Sequence, residues 1–281
     1  ANWKCSGCFR WKYKEIYLFL FKKVKMNILE KIILDKKEEI KILKREFNFS
    51  GLTLKNKKPS LFLEGLNKKP IGFIAEIKRK SPSAGILRNS INISEVVSKY
   101  ETNGASIISC LIDKKYFGAN QNDFNEVFQN TSLPILYKEF VVDEWQIQHA
   151  NHIGASGILI IVSALEKSEL KELFHCALEN NLTPLVEVHS NDEMEIAADI
   201  GAKCIGINNR NLKNFTTSLN VTKDLIKNRP SDSLIVSESG IRSPDDVLSL
   251  RNLGVNALLV GEQLLKAEEP GEELKYLLSK L

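Results

Sequence analysis

Phe73-Ile-Ala-Glu-Ile-Lys-Arg-Lys-Ser-Pro-Ser83 opens as a β-run and ends as a polar loop. Phe73, Ile74, Ala75 and Ile77 suit a buried strand. Ser81-Pro82-Ser83 cannot continue it, because Pro82 has no N–H to offer a neighbouring strand. At the changeover stand Glu76, Lys78, Arg79 and Lys80. Residues two apart on a strand point to the same side, so a closed barrel would aim Glu76 and Lys78 at its axis. Taken alone, the segment reads more readily as a strand end reaching solvent. The recurrence of the pattern along the chain shifts the reading.

After Gly72 short apolar runs follow at Ala105–Leu111, Pro134–Lys138, Gly157–Ile161, Thr183–Val188, Cys204–Asn208, Leu234–Glu238 and Ala257–Val260. With the first strand they make eight. Helical patterns lie between and after them, at Ile93–Asn103, Asp123–Gln129, Glu144–Ile153, Lys167–Asn180, Asp192–Ile200, Thr216–Lys227, Pro244–Leu253 and Gly271–Leu281. Such alternation means parallel strands joined by crossover helices. Asn103-Gly-Ala-Ser, Ile153-Gly-Ala-Ser, Ile200-Gly-Ala-Lys and Leu253-Gly-Val-Asn echo one another between helix and strand, where glycine ends a helix in a left-handed cap. Eight βα units predict a (β/α)8 TIM barrel of the α/β class. A doubly wound open sheet is the rival, but the Gly-rich fingerprint expected after its first strand is missing.

In a barrel of this kind the active site lies at the C-terminal strand ends. Here those ends carry Glu76 and Lys78 on the first strand, Lys138 on the third and Glu187 on the fifth. The sixth gives Asn208 and Arg210, and the seventh Glu238 and Ser239. A buried unpaired charge is too costly to be common, so these charges are expected to meet and satisfy one another at one mouth. A purely stabilising ion-pair network is the alternative. A network at a cleft also shifts pKa values, which acid–base catalysis requires. His189 is read as a loop or supporting residue turned away from Glu187. Ser239-Gly240 and Val260-Gly261 follow strands seven and eight, where barrels frequently hold phosphate.

Composition narrows the classes. The 281 residues are 43% hydrophobic and 26% charged, ordinary for a globular protein, and no apolar run approaches a membrane span. The net charge of +4 misleads. Residues 1–25 hold seven basic residues against Glu15 alone, leaving 32 basic and 34 acidic residues elsewhere. No global field argues for nucleic acid or a membrane surface. Cys5 and Cys8 form a lone Cys-x-x-Cys, a weak zinc or redox signal. Cys110, Cys176 and Cys204 read as buried thiols, and a reducing cytoplasm is the expected compartment. Residues 1–25 resemble a stunted signal peptide without a cleavage site and are read as an extension outside the fold. Met26 to about Asn48 predicts an amphipathic helix or two, and Ser60–Leu66 a short helical piece.

Several of these segments are more specific than their spacing alone. Ile74-Ala-Glu-Ile-Lys-Arg-Lys-Ser-Pro-Ser83, Lys138-Glu-Phe140, Leu185-Val-Glu-Val188, Gly206-Ile-Asn-Asn-Arg-Asn-Leu212, Ser237-Glu-Ser-Gly-Ile241 and Leu259-Val-Gly261 together resemble the indole-3-glycerol-phosphate synthase family of tryptophan biosynthesis. The resemblance runs from about Met26 to Leu281. It implies one barrel domain over 26–281, with 26–70 a helical segment that helps cover the mouth. The implied reaction is ring closure, decarboxylation and dehydration of 1-(2-carboxyphenylamino)-1-deoxyribulose 5-phosphate, a small phosphorylated substrate, with no metal or organic cofactor. By the resemblance, Lys138 is the acid for closure, and Glu187 and Glu76 handle charge and protons. Lys78 orients the substrate or acts in dehydration. Asn208, Arg210, Glu238 and Ser239 orient substrate, Phe117 packs on the aromatic ring, and Ser81, Gly240, Gly261 and the Glu262 backbone face the phosphate. Ala119-Asn120 replaces a Gly and a Ser common in the family, and Glu262 stands where some members have Ser. A monomer is the expected state, with association with other tryptophan-pathway enzymes open.

The rival functions are a phosphoribosyl isomerase and a non-catalytic phosphate-binding barrel. The first is better served by Cys/Asp or Asp/Asp pairs on early strands, and the second should have lost a charged mouth residue. None of the site motifs lies in residues 1–25, so deleting them is expected to leave turnover unchanged. A large drop in turnover at unchanged stability would contradict that reading.

Overall fold

Eight parallel strands lie where the apolar runs fall: β1 (Gly72–Ile77), β2 (Ile107–Leu111), β3 (Ile135–Lys138), β4 (Gly157–Ile161), β5 (Thr183–Val188), β6 (Cys204–Asn208), β7 (Leu234–Glu238) and β8 (Ala257–Val260). They pair β1-β8-β7-β6-β5-β4-β3-β2 and close when β2 pairs with β1, giving a (β/α)8 barrel. The structure is a computed structural model that describes residues 26–47, 49, 60–212 and 214–281. The 1–25 extension, with Cys5 and Cys8, lies outside the described residues. Among them, no helix is long and apolar enough to cross a membrane.

The strands read as nearly unbroken apolar runs because both faces are covered. One parity (Ile74, Ile107, Leu136, Leu159, Leu185, Val236, Leu259) fills the barrel interior. The other (Phe73, Ala75, Ile108, Tyr137, Ile158, Val186, Ile235) packs under the surrounding helices. The four echo glycines, Gly104, Gly154, Gly201 and Gly254, all take positive φ where helix turns into strand.

The two helices before β1 go to opposite ends of the barrel. α1 (Ile28–Glu46) is a single helix, opened by a capping box in which the Asn27 side chain accepts from the Glu30 N–H and the Asn27 N–H donates to Glu30. It lies over the mouth. Its Lys36 is buried, 3.0 Å from Asp113, 3.1 Å from Glu139 and 2.8 Å from Glu39. Asp113 in turn caps the short helix Lys114–Phe117, and Glu139 directly follows Lys138. One ammonium thus fastens the roof to the loops after β2 and β3. Burial pushes the Glu139 carboxyl up to about 7 against the pull of Lys36.

α2 (Ser60–Leu66) plugs the floor instead. Phe62 and Leu66 are fully buried among the interior residues. The Ser106 hydroxyl donates to the Gly65 carbonyl at 2.8 Å. A Cβ at Gly157 would stand 2.5 Å from the Phe62 ring, so the start of β4 must be glycine for the ring to enter. Only α1, therefore, fits a segment that covers the mouth.

Two local expectations need correction. Residues 216–219 are not helical: Thr217 bridges back to Arg210, and the helix begins only at Asn220, running as α-helix to Leu225 and as 3-10 helix over Ile226–Asn228. The Asn211 N–H donates to the Thr216 carbonyl, and the Ser218 N–H to Asn209, so the backbone of this stretch is used in a loop. Cys176 is half-buried, unlike Cys110 and Cys204. Past β1, Lys80–Ser81 pairs with Gly85–Ile86 in a small antiparallel ribbon across Pro82.

The plug gives a test of the floor. Phe62→Ala opens a cavity there and is expected to cost about 3–5 kcal/mol in urea unfolding while kcat at low temperature stays near wild type. A loss of activity without a loss of stability would contradict the separation of floor from mouth.

Candidate active site

Above the last apolar layer of the interior, the same strand parity turns polar. Glu76, Glu187 and Glu238 continue the inward rows of β1, β5 and β7, and Lys138 that of β3. They line a cavity of about 400 Å3 at the C-terminal strand ends. Lys138 Nζ lies 3.3 Å from Glu187 Oε2 and 3.1 Å from Glu238 Oε2. Lys78 Nζ donates to Glu76 Oε1 at 2.5 Å. The Asn208 amide donates to Glu187 Oε1 at 3.0 Å, and its carbonyl oxygen accepts from the Arg210 N–H.

Two glycines make room for these acids. A Cβ at Gly206 would overlap Glu238 Oε1, and one at Gly261 would overlap Glu76 Oε1. Both sit at inward positions next to a carboxylate-bearing strand, β6 beside β7 and the end of β8 beside β1. Gly261 therefore makes room for the Glu76 carboxylate as well as lining the cavity.

The charges are divided unequally. Burial would lower Lys138, but Glu238, Glu187 and Glu76 outweigh it and hold the ammonium protonated, well above its ordinary range. Burial would raise Glu187, but Lys138, His189 and Asn208 hold its carboxyl well below the usual carboxylate range. Glu238 goes the other way: burial, aided by Glu187 and Glu76, pushes it up to about 7 despite Lys138. Its Oε1 is buried with no hydrogen-bond partner, which fits a carboxyl that can hold a proton. Two neighbouring acids with opposite protonation preferences suit a site that both keeps an anion and moves a proton.

One side of the cavity is apolar. Phe117 and Phe140 face it with ring centroids 5.9 Å apart, and Ile28, Leu29 and Ile32 of α1 roof it. Leu111, Leu159, Ile161 and Leu259 form its base. Another side gathers Ser81, Ser83, Ser239, Gly240, Ile241, Arg242, Gly261 and Glu262. There Arg210 Nη2 donates to Glu262 Oε2 at 2.9 Å, and Lys266 donates to Glu262 Oε1 at 2.6 Å. Among the described residues, no cluster of His, Cys, Asp and Glu could hold a metal ion.

The residues assigned to the site by the resemblance all line this cavity: Glu76, Lys78, Ser81, Phe117, Lys138, Glu187, Asn208, Arg210, Glu238, Ser239, Gly240, Gly261 and Glu262. Arg79 does not, since its guanidinium pairs with Asp123. His189 departs from expectation: its Nε2 lies 3.3 Å from Glu187 Oε1. Residues two apart on a strand share a side, and that parity was the available signal. The sequence reading expected a helical cover from 26–70 but did not single out Ile28, Leu29 and Ile32, and it missed Phe140 and the basic residues Arg242 and Lys266.

Comparison with known proteins agrees with this geometry. A family model described as indole-3-glycerol phosphate synthase matches residues 29–277. A protein of that name from Caldanaerobacter subterraneus subsp. tengcongensis is 43% identical over 208 residues, 74% of this chain and 81% of the relative. Another, from Shouchella clausii, is 42% identical over 211 residues, 75% of this chain and 83% of the relative. Among solved structures, 3-hexulose-6-phosphate synthase from Salmonella typhimurium superposes with a TM-score of 0.58 at 12% identity, covering 73% of this chain and 95% of that one. At that identity the likeness is one of fold. From a family match that spans the roof helix and the whole barrel, and from relatives at 42–43% identity, the chain belongs to the indole-3-glycerol phosphate synthase family.

Proposed function

We propose that Lys138, held between Glu187 and Glu238, is the acid that closes the indole ring. The activity is the family's: a carboxy-lyase step of tryptophan biosynthesis that forms indole-3-glycerol phosphate. Its substrate, 1-(2-carboxyphenylamino)-1-deoxyribulose 5-phosphate, brings an aromatic ring, a carboxylate, a ketone and a phosphate. The cavity offers an apolar slot, two ammonium groups, buried acids and a glycine-lined serine side. The observation that carries the assignment is the Lys138 ammonium, aimed into the cavity with a carboxylate on each side.

The chemistry follows from the charges. As the ring carbon bearing the carboxylate attacks the ribulose C2, a proton passes from Lys138 to the forming alkoxide oxygen, and positive charge appears at the anilino nitrogen. The anionic Glu187 stabilises that charge. Carbon dioxide then leaves, and its bonding pair restores the aromatic ring. In the last step the C2 hydroxyl takes a proton and departs as water while a base removes a proton from C1. The sequence consumes one proton overall. Glu238, titrating near neutrality, is suited to resupply Lys138. Glu76 at the end of β1 and Lys78 just past it, paired with each other, are assigned to the dehydration and to the substrate carboxylate.

The apolar slot between Phe117, Phe140 and α1 takes the aromatic ring, and Ser81, Gly240 and Gly261 take the phosphate. Arg210, Asn208 and Ser239 orient the ribulose chain. Closing such a site under a roof helix also excludes water, which strengthens the charge interactions inside it.

Incubation with the carboxyphenylamino substrate, followed by indole fluorescence, tests the assignment. Lys138→Ala is expected to lower kcat by roughly 100- to 10,000-fold, the range for removing a positioned acid. A Lys138→Ala protein that keeps wild-type turnover would sink it.

A further inference from the structure

His189 lies outside the cavity wall but directly behind one of its acids. Its ring is held between two carboxylates: Nε2 is 3.3 Å from Glu187 Oε1, and Nδ1 is 3.1 Å from Glu193 Oε2. The inner contact is an ion pair rather than a directed hydrogen bond. The outer contact is built into the next helix. Ser190 caps Asn191–Asp199 by accepting from the Glu193 N–H, and Glu193 reaches back to accept from the His189 N–H at 2.7 Å. The cap that starts this helix therefore also fixes the histidine.

A neutral imidazole can donate from only one nitrogen, and a carboxylate at each nitrogen favours the doubly protonated cation. The charged groups facing it are Glu187 near the end of β5 and Glu193 from the following helix. The turn Val162–Ala164 packed against that helix brings none. Burial alone would lower His189, but the two carboxylates raise it to about 10, so the ring stays charged across the neutral range.

We propose that His189 is a positioning residue for the reaction, whose imidazolium, clamped between Glu193 and Glu187, keeps Glu187 anionic and aimed into the cavity throughout turnover. The proposal rests on the reading of Lys138 as the acid. When Lys138 gives up its proton it becomes neutral, and Glu187 loses the cation on its Oε2 side at the moment positive charge develops on the substrate nitrogen. His189, on the Oε1 side, remains. Among the described residues Glu238 pairs with no cation other than Lys138, and it is left free to take up and release a proton. The histidine thus separates the roles of two acids that share one lysine.

The test is kcat and KM with the carboxyphenylamino substrate, together with the carboxyl 13C titration of Glu187, for wild type, His189→Gln and Glu193→Gln. With His189→Gln, kcat is expected to fall roughly tenfold with KM little changed, since one unit of lost charge stabilisation is a factor of ten. The Glu187 carboxyl should titrate higher in His189→Gln, and higher by less in Glu193→Gln. A Glu187 titration that stays put in both variants, whatever happens to kcat, overturns the proposal. Wild type that fails to turn over the substrate would count against the function instead, leaving the titration to decide the role of His189.

Discussion

An ammonium group withdrawn from water must be paired, and Lys138 is paired twice, with carboxylates 49 and 100 residues away in sequence. That meeting is possible only if β3, β5 and β7 all tilt one row of side chains toward a common axis. Closure of the barrel is therefore the condition for the site. The converse also holds: three acids at one mouth would repel one another without Lys138 and Lys78 between them. The glycines at 206 and 261 belong to the same constraint, because each gives up its side chain to let a carboxylate in.

The barrel separates stability from chemistry along its axis. At the floor, Phe62 and Leu66 complete an interior of aliphatic residues and carry no charge. At the mouth, the same rows end in charged groups whose burial is costly and whose value lies in their altered protonation. The roof helix joins this upper half through the buried Lys36, Asp113 and Glu139 cluster, which places apolar residues over the cavity. A polar anchor suits that position, since it sets where the helix sits without adding to the apolar wall.

Much of this was legible in the chain because strand periodicity is strict. Once Glu76, Lys138, Glu187 and Glu238 were seen at strand ends, their convergence followed from parity alone. What was not legible depended on contacts between segments remote in sequence. Nothing local in Ser60–Leu66 says that it plugs the floor while Ile28–Glu46 covers the top, since both are apolar-faced helical pieces. Thr216–Lys227 looked helical, but its first residues are drawn into a bridge with Arg210. The room that Gly206 and Gly261 leave for neighbouring acids is likewise a cross-strand property. His189 is the exception, because its spacing from Glu187 already set its side.

A structure with the substrate's C2 ketone reduced to an alcohol, a stable analogue that keeps the ring, carboxylate and phosphate, tests the central claim most directly. The account predicts the C2 oxygen at hydrogen-bond distance, about 3 Å, from Lys138 Nζ, with the phosphate against Gly240 and Gly261. A C2 oxygen bound to Lys78 instead, with Lys138 still bridging Glu187 and Glu238 and touching no part of the ligand, would contradict it.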